Sequence, residues 1–241
     1  MQKFINLSPI QSKGLDKTIY KNALNLKKDA ILIAEKRKSY SSASSLLILS
    51  SEECVKSILV LLHSEKYNIY KIKGANKFFS DHIIRHQLGK FIELTLGLFE
   101  TWYTYNNSKP SKLFESKNPK LNNMLNGLLN AYKAIQPLSE VKPNIEYLEK
   151  FNITKNKGFY VDYRDKLIDP KEEVTHKDYI LILKITNRIF KFNKLLRILF
   201  HDRLIQHIEK DKIEKMKENI REFIDHGLPL VSFDELKKNN K

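Results

Sequence analysis

The stretch FFSDHIIRHQ at residues 78–87 sets one acid, two imidazoles and a guanidinium into a segment otherwise rich in Phe and Ile. Histidine takes or gives a proton near neutrality, and arginine presents a planar fork of donors that suits phosphate oxygens. A second polar group stands in SSEECVKS at 50–57, where Glu52 and Lys56 are spaced i, i+4 and Glu53 and Lys56 i, i+3, so that on a helix the lysine pairs with either acid. Together these types can move a proton at an RNA 2′-oxygen or leaving oxygen and steady a pentacoordinate phosphate without a metal.

Such residues act only if helices bring them together. Ile19, Ala23, Leu26, Ala30 and Ile33 recur every three or four residues and predict a first helix over 17–38. Ala43, Leu47, Ser50, Cys54, Ile58 and Leu61 predict a second, antiparallel to it, reaching His63. A third is predicted from Asn76 to about Tyr105 on Ile84, Leu88, Phe91, Thr95, Leu98 and Trp102. NNSKPSKLFESKNPK at 106–120 reads as a surface connection, followed by a helix on Leu121, Leu125, Leu128, Tyr132 and Ile135 that QPLSEVKP is expected to end. Residues 144–174 are the least regular, with GFYVDYRD predicting a short extended segment or hairpin. A long helix over 175–208 and a charged one over 210–225 follow.

The expected fold is therefore an all-α bundle with one irregular insertion. Its 241 residues read as a single helical domain, with a three-helix core at 17–105, a connecting helix and insertion at 106–174, C-terminal helices at 175–226 and a tail at 227–241. Few turns are available for a many-stranded fold, since the chain has only 7 Gly and 7 Pro. No repeat of solenoid length is present.

Helical geometry turns Asp81 and Arg85 into the apolar arc of the third helix, with His82 at its margin and His86 farther out. On the second helix Glu53 lies beside the apolar stripe while Glu52 is expected to face out. If the hairpin of helices packs on the third, Glu53, Lys56, Asp81, His82 and Arg85 converge into one polar pocket. The competing readings are a surface ion pair for Glu53 and Lys56, and a buried polar network that fixes helix register.

Lys and Arg outnumber Asp and Glu by 43 to 28, a net charge of +15 that favours a polyanionic partner such as RNA or the ribosome. Cys54 is the one cysteine, which excludes an intrachain disulfide and suggests a reducing, cytoplasmic setting. The apolar runs SILVLL and YILILKI fall far short of the ~20 residues of a membrane-spanning helix, so no membrane partner is expected. Two histidines at i, i+4 without the acid of HExxH argue against a metal, and no cofactor is expected. Neither a phosphate-cradling glycine loop nor a G-x-S-x-G elbow occurs.

In order and spacing, NALNLKKDAILIAEKRKSYSSASSLLILSSEECVKSILV, KFFSDHIIRH and GFYVDYRD resemble the AbiV-type abortive infection proteins, within the HEPN group of helical domains. The resemblance spans about residues 20–195. It implies an antiphage effector that shuts down the infected cell through RNA damage or translation arrest. A homodimer is expected for a nuclease of this kind, and a phage-encoded activator protein for a non-catalytic binder. By the same resemblance Glu53 and Lys56 match an EE-x-x-K pattern, and Asp81 and His82 a DH-x-x-K pattern in which Arg85 replaces the lysine. Asp29, Tyr160 and Asp162 match motif positions read as structural. The R-x4-6-H spacing of many HEPN ribonucleases occurs at Arg221 and His226, outside the matching region. A metal-independent HEPN-type ribonuclease is thus one expectation, and a non-catalytic inhibitor that binds RNA or the ribosome is the other.

Overall fold

A computed structural model describes residues 3–107, 119–164 and 166–230. After a one-turn helix at Phe4–Asn6 come α1 (Pro9–Ser12), α2 (Leu15–Arg37) and α3 (Tyr40–Ser64). The chain then crosses two one-turn helices to α4 (His82–Asn107) and α5 (Pro119–Glu149). A short α6 (Phe151–Phe159) leads to an antiparallel hairpin of β1 (Asp162–Arg164) and β2 (Lys166–Ile168). The one-turn α7 (Pro170–Glu173), α8 (His176–Leu199) and α9 (Lys210–Glu222) complete the bundle. The expected all-α bundle with a hairpin in its insertion is what forms.

The helix α3 is the axis of the fold, touching α2, α4, α6 and α8. Small residues let α2 approach it closely. Ala23, Ala30 and Ala34 are buried against it, Ser50 Oγ donates to Ala23 O at 2.7 Å, and Ser57 Oγ donates to Asp16 O at 2.9 Å. From α8 come Ile182, Ile185, Ile189 and Leu196, all buried as their spacing predicts. Thr175 and Asp178 start that helix with reciprocal hydrogen bonds, Asp178 N to Thr175 Oγ1 and Thr175 N to Asp178 Oδ2.

Four boundaries differ from expectation. Residues 75–81 form a one-turn helix and a turn instead of the start of α4, because Asp81 Oδ1 accepts from the backbone N–H groups of Ile83 and Ile84 and starts α4 there. The helix α5 is not ended by QPLSEVKP but runs through Pro137 and Pro143. Its later turns are held by packing, with Val141, Asn144 and Leu148 buried and Asn144 Nδ2 donating to the fully buried Glu93 at 2.7 Å. The irregular region 144–159 is therefore largely helical. Finally α8 ends at Leu199, and residues 202–206 form a separate one-turn helix. Most of the connection at 106–120 and the tail from 231 lie outside the described residues, as do the side chains of Leu121, Leu125, Leu128, Tyr132 and Ile135.

The contact that seats α6 is specific. Ser45 Oγ, on α3, donates to Lys155 O at 2.9 Å. A Cβ at Gly158 would run into Ser45 Oγ and lie 2.6 Å from Ser41 O, a backbone atom that cannot swing away. Gly158→Ala should therefore destabilise the fold by about 1–3 kcal/mol through overpacking, seen as a lower urea midpoint. An unchanged midpoint would mean that α6 is not seated on α3 in this way.

Candidate functional site

The carboxylate at the centre of the site is that of Glu52, on α3. It is 2% exposed and receives donors from two other helices. His86 Nε2 lies 3.0 Å and Lys155 Nζ 3.1 Å from Oε1. Arg85 Nη2 lies 2.9 Å from Oε2, and His82 Nδ1 makes a short contact with the same oxygen. Three of the four donors come from α4 and one from α6. Arg85, His86 and Lys155 are buried, whereas the His82 side chain is 49% exposed.

Burial raises the pKa of Glu52, but the His86 hydrogen bond and the positive charges around it outweigh that and hold the carboxyl well below the usual carboxylate range. Burial also lowers the pKa of His86, against the pull of Glu52, which favours the neutral ring with its proton on Nε2. An ionised carboxylate only accepts, so His82 must donate from Nδ1. Arg85 Nη2 lies 2.8 Å from that same nitrogen, but a nitrogen giving its proton to Glu52 cannot also accept. The two are donors converging on one oxygen. This tautomer places the other ring nitrogen of His82 away from Glu52, and among the described residues it has no hydrogen-bond partner.

A carboxylate fixing the tautomer and aim of an imidazole is the arrangement that readies a histidine to accept or deliver a proton. Arg85 and Lys155 together outnumber the single Glu52 charge, so the cluster carries excess positive charge, which favours an anion at its mouth. Among the described residues no group of three His, Cys, Asp or Glu side chains is placed to hold a metal.

Both titrations favour the folded state at higher pH. Glu52 binds its proton less readily when folded, so its contribution is complete above its ordinary value of 4.5 and is lost as pH falls below it. His86 likewise contributes above its ordinary value of 6.5 and less below it, because the unfolded chain then takes up a proton that the folded chain resists. The urea midpoint should fall from pH 7.5 to 5.5 and fall further below 4.5. A midpoint that is flat or rises towards acid would contradict this.

Two expectations about helix faces are reversed. Glu52, expected to face out, is buried, while Glu53 pairs with Lys56 at the edge of the bundle and accepts from Asn22 Nδ2 at 3.4 Å. The cause is that α3 is covered on several sides, so it has no solvent face at position 52. His86, expected farther out, is also buried. Positions 82, 85 and 86 are related by i, i+3 and i+4 and share one stripe. Asp81 lies at the helix start and not on Glu52. The two polar patches meet through Glu52, not through Glu53, Lys56 and Asp81. His82 and Arg85 are where the convergence places them.

Lys155 is hidden in the sequence because its region reads as irregular. Once α6 is recognised, Phe151, Lys155 and Gly158 fall at i, i+4 and i+7, and a lysine in an apolar slot is the signal. Arg221 and His226 stand elsewhere: the guanidinium lies 4.9 Å over the Tyr67 ring and 3.5 Å from Glu218, and His226 is exposed in the turn after α9. Asp29 is exposed beside the buried Ala30. Tyr160, at a motif position read as structural, is 67% exposed. The side chain of Asp162 lies outside the described residues.

The family model HEPN_AbiV, described as AbiV, matches residues 11–191. The chain belongs to the AbiV family. The matched region contains every member of the Glu52 cluster and excludes Arg221 and His226. AbiV membership makes the chain an abortive-infection protein with a HEPN domain. No curated protein and no solved structure matches the chain. Among the described residues no helix is long and apolar enough to cross a membrane.

Proposed function

We propose that this chain acts in abortive infection as a metal-independent endoribonuclease, with His82 as the proton-transfer group. The observation that carries the proposal is the exposed imidazole held from below by a buried, ionised Glu52. In the reaction the RNA 2′-oxygen loses its proton and attacks the adjacent phosphorus. The bond to the 5′-oxygen breaks and that oxygen is protonated, leaving a 2′,3′-cyclic phosphate and a 5′-hydroxyl. His82 serves one of the two proton transfers, while Glu52, Arg85, His86 and Lys155 position it. A second copy of the chain, offering its own His82 across a composite cleft, is the source we propose for the other. The net charge of +15 suits the substrate, and a phage-encoded protein is the proposed trigger.

Purified protein incubated with single-stranded RNA and a chelator tests the reading. Cleavage with 2′,3′-cyclic phosphate ends is expected to persist in the chelator. Intact RNA together with arrest of a translation extract would instead support a binder of RNA or the ribosome.

A further inference from the structure

The segment that leads into His82 is anchored on its inner side and basic on its outer one. Between α3 and α4 the chain makes one-turn helices at Asn68–Lys71 and Ala75–Lys77, and Gly74, at φ +85°, turns the backbone between them. Ile69, Ile72, Ala75 and Phe78, spaced by three, are all buried in the core. The Tyr70 ring stacks on His63 at 3.8 Å and meets Phe79 edge-on at 5.6 Å. Phe78 O accepts from Arg85 Nη1 at 3.4 Å, which ties the segment to the Glu52 cluster. What this anchoring leaves outside is polar: Lys71, Lys73, Asn76 and Ser80 are exposed, as is His82.

The charge of the segment is one-sided. Residues 66–80 hold four lysines and no acid, and with the bracketing Glu65 and Asp81 counted the lysines still outnumber the acids four to two. Glu65 lies at the far end, next to Lys66. Asp81 accepts from the N–H groups of Ile83 and Ile84, and Asp225, in the turn after α9, from Asn68 Nδ2 at 3.1 Å. Among the described residues neither Lys71 nor Lys73 is in an ion pair.

From this we infer that Lys71 and Lys73 hold backbone phosphates of the RNA strand whose cleaved bond lies at His82. The inference rests on the ribonuclease reading above and names part of its substrate's path. A lysine offers a compact charge with three donors, which grips a phosphate oxygen and reads no base. Because the backbone beneath the two lysines is already fixed, binding has only their side chains to order. The stretch from Lys73 to His82 would reach at most roughly 30 Å fully extended, and the one-turn helix and the turn after it shorten that. An anionic membrane surface is the competing partner, but it favours apolar side chains that enter the lipid. Here Ile69, Ile72, Ala75 and Phe78 face the core instead.

The salt dependence of binding, separated from cleavage, tests this. In the His82→Ala background, anisotropy with labelled oligouridylate should show that Lys71→Gln with Lys73→Gln weakens binding. The slope of log affinity against log salt should become shallower by about 0.7 for each lysine. Between about 50 and 200 mM salt the double variant should therefore lose about sevenfold less affinity than its parent. Arginine at both positions should keep the slope, and so should Lys28→Gln with Lys194→Gln, which removes the same charge from α2 and α8. With His82 intact, the double glutamine variant should raise KM for RNA cleavage and leave kcat unchanged. An unchanged slope overturns the inference, as does an equal effect of the Lys28 and Lys194 pair, which would make it a matter of net charge. So does a loss confined to sedimentation with phosphatidylserine vesicles, which would make the segment a membrane contact. If the slope falls as expected but the wild-type protein leaves RNA intact, the cleavage reading fails and the phosphate contact stands. If RNA is cut and the slope does not move, the reverse holds.

Discussion

Glu52→Gln is expected to remove both function and a large share of stability. The carboxylate accepts from His82, Arg85, His86 and Lys155, and it is the only anion among them. A glutamine keeps the shape but offers one oxygen and one NH2 group. Whichever way it turns, that NH2 group meets two donors, and Arg85 and Lys155 are left buried without a counter-charge. Breaking a buried pair in this way costs about 3–5 kcal/mol, which a urea titration at pH 7.5 would show as a large fall in midpoint. Glu53→Gln is the matched control. Its pairing with Lys56 is at the bundle edge, where both side chains are half-buried, and a helical pair of this kind contributes about 0.3–0.5 kcal/mol. Equal effects of the two substitutions would show that Glu52 is not the hub.

His82→Ala is expected to separate activity from stability. The ring is half exposed and is one of four donors to Glu52, so Arg85, His86 and Lys155 still satisfy the carboxylate without it. The midpoint should move by no more than about 1 kcal/mol. Single-turnover cleavage of RNA should fall by about 10²- to 10⁴-fold, the usual contribution of a positioned proton-transfer group. His86→Ala should behave in the opposite manner. That ring is buried, donates to Glu52 and meets the edge of Phe151 at 5.5 Å between centroids, so its loss opens a cavity and costs about 2–4 kcal/mol. A His82 variant that unfolds, or one that cleaves at the wild-type rate, would move the reactive group elsewhere.

The helical order of the fold was legible because its stripes are long. On α8, Ile182, Ile185, Ile189 and Leu196 are buried and Phe192 and Leu199, on the same stripe, are half-buried. Less legible was which face of α3 matters. A single hydrophobic stripe describes a helix at the edge of a bundle, and α3 is its axis, so Ser44, Ser45, Ser51 and Glu52 are buried as well. The acid beside the stripe, Glu53, is the neighbour of the one that four donors surround. The prolines of α5 misled for a related reason: local breaking signals were overridden by burial of Val141, Asn144 and Leu148 on α4 and its neighbours. His82 and Arg85 could be read from the sequence because their spacing and chemistry both pointed inward. Lys155 could not, since its significance depends on a contact more than a hundred residues back along the chain, from α6 to Glu52.

Whether a Glu52-held His82 cuts RNA is measured most directly in growing cells. Wild-type and His82→Ala proteins would be expressed at equal levels, new RNA ends mapped by sequencing, and protein synthesis followed by pulse labelling. The account predicts discrete new 5′-hydroxyl ends and a loss of labelling with the wild-type protein, and neither with His82→Ala. Loss of labelling without new RNA ends, or the same ends from both proteins, would contradict it.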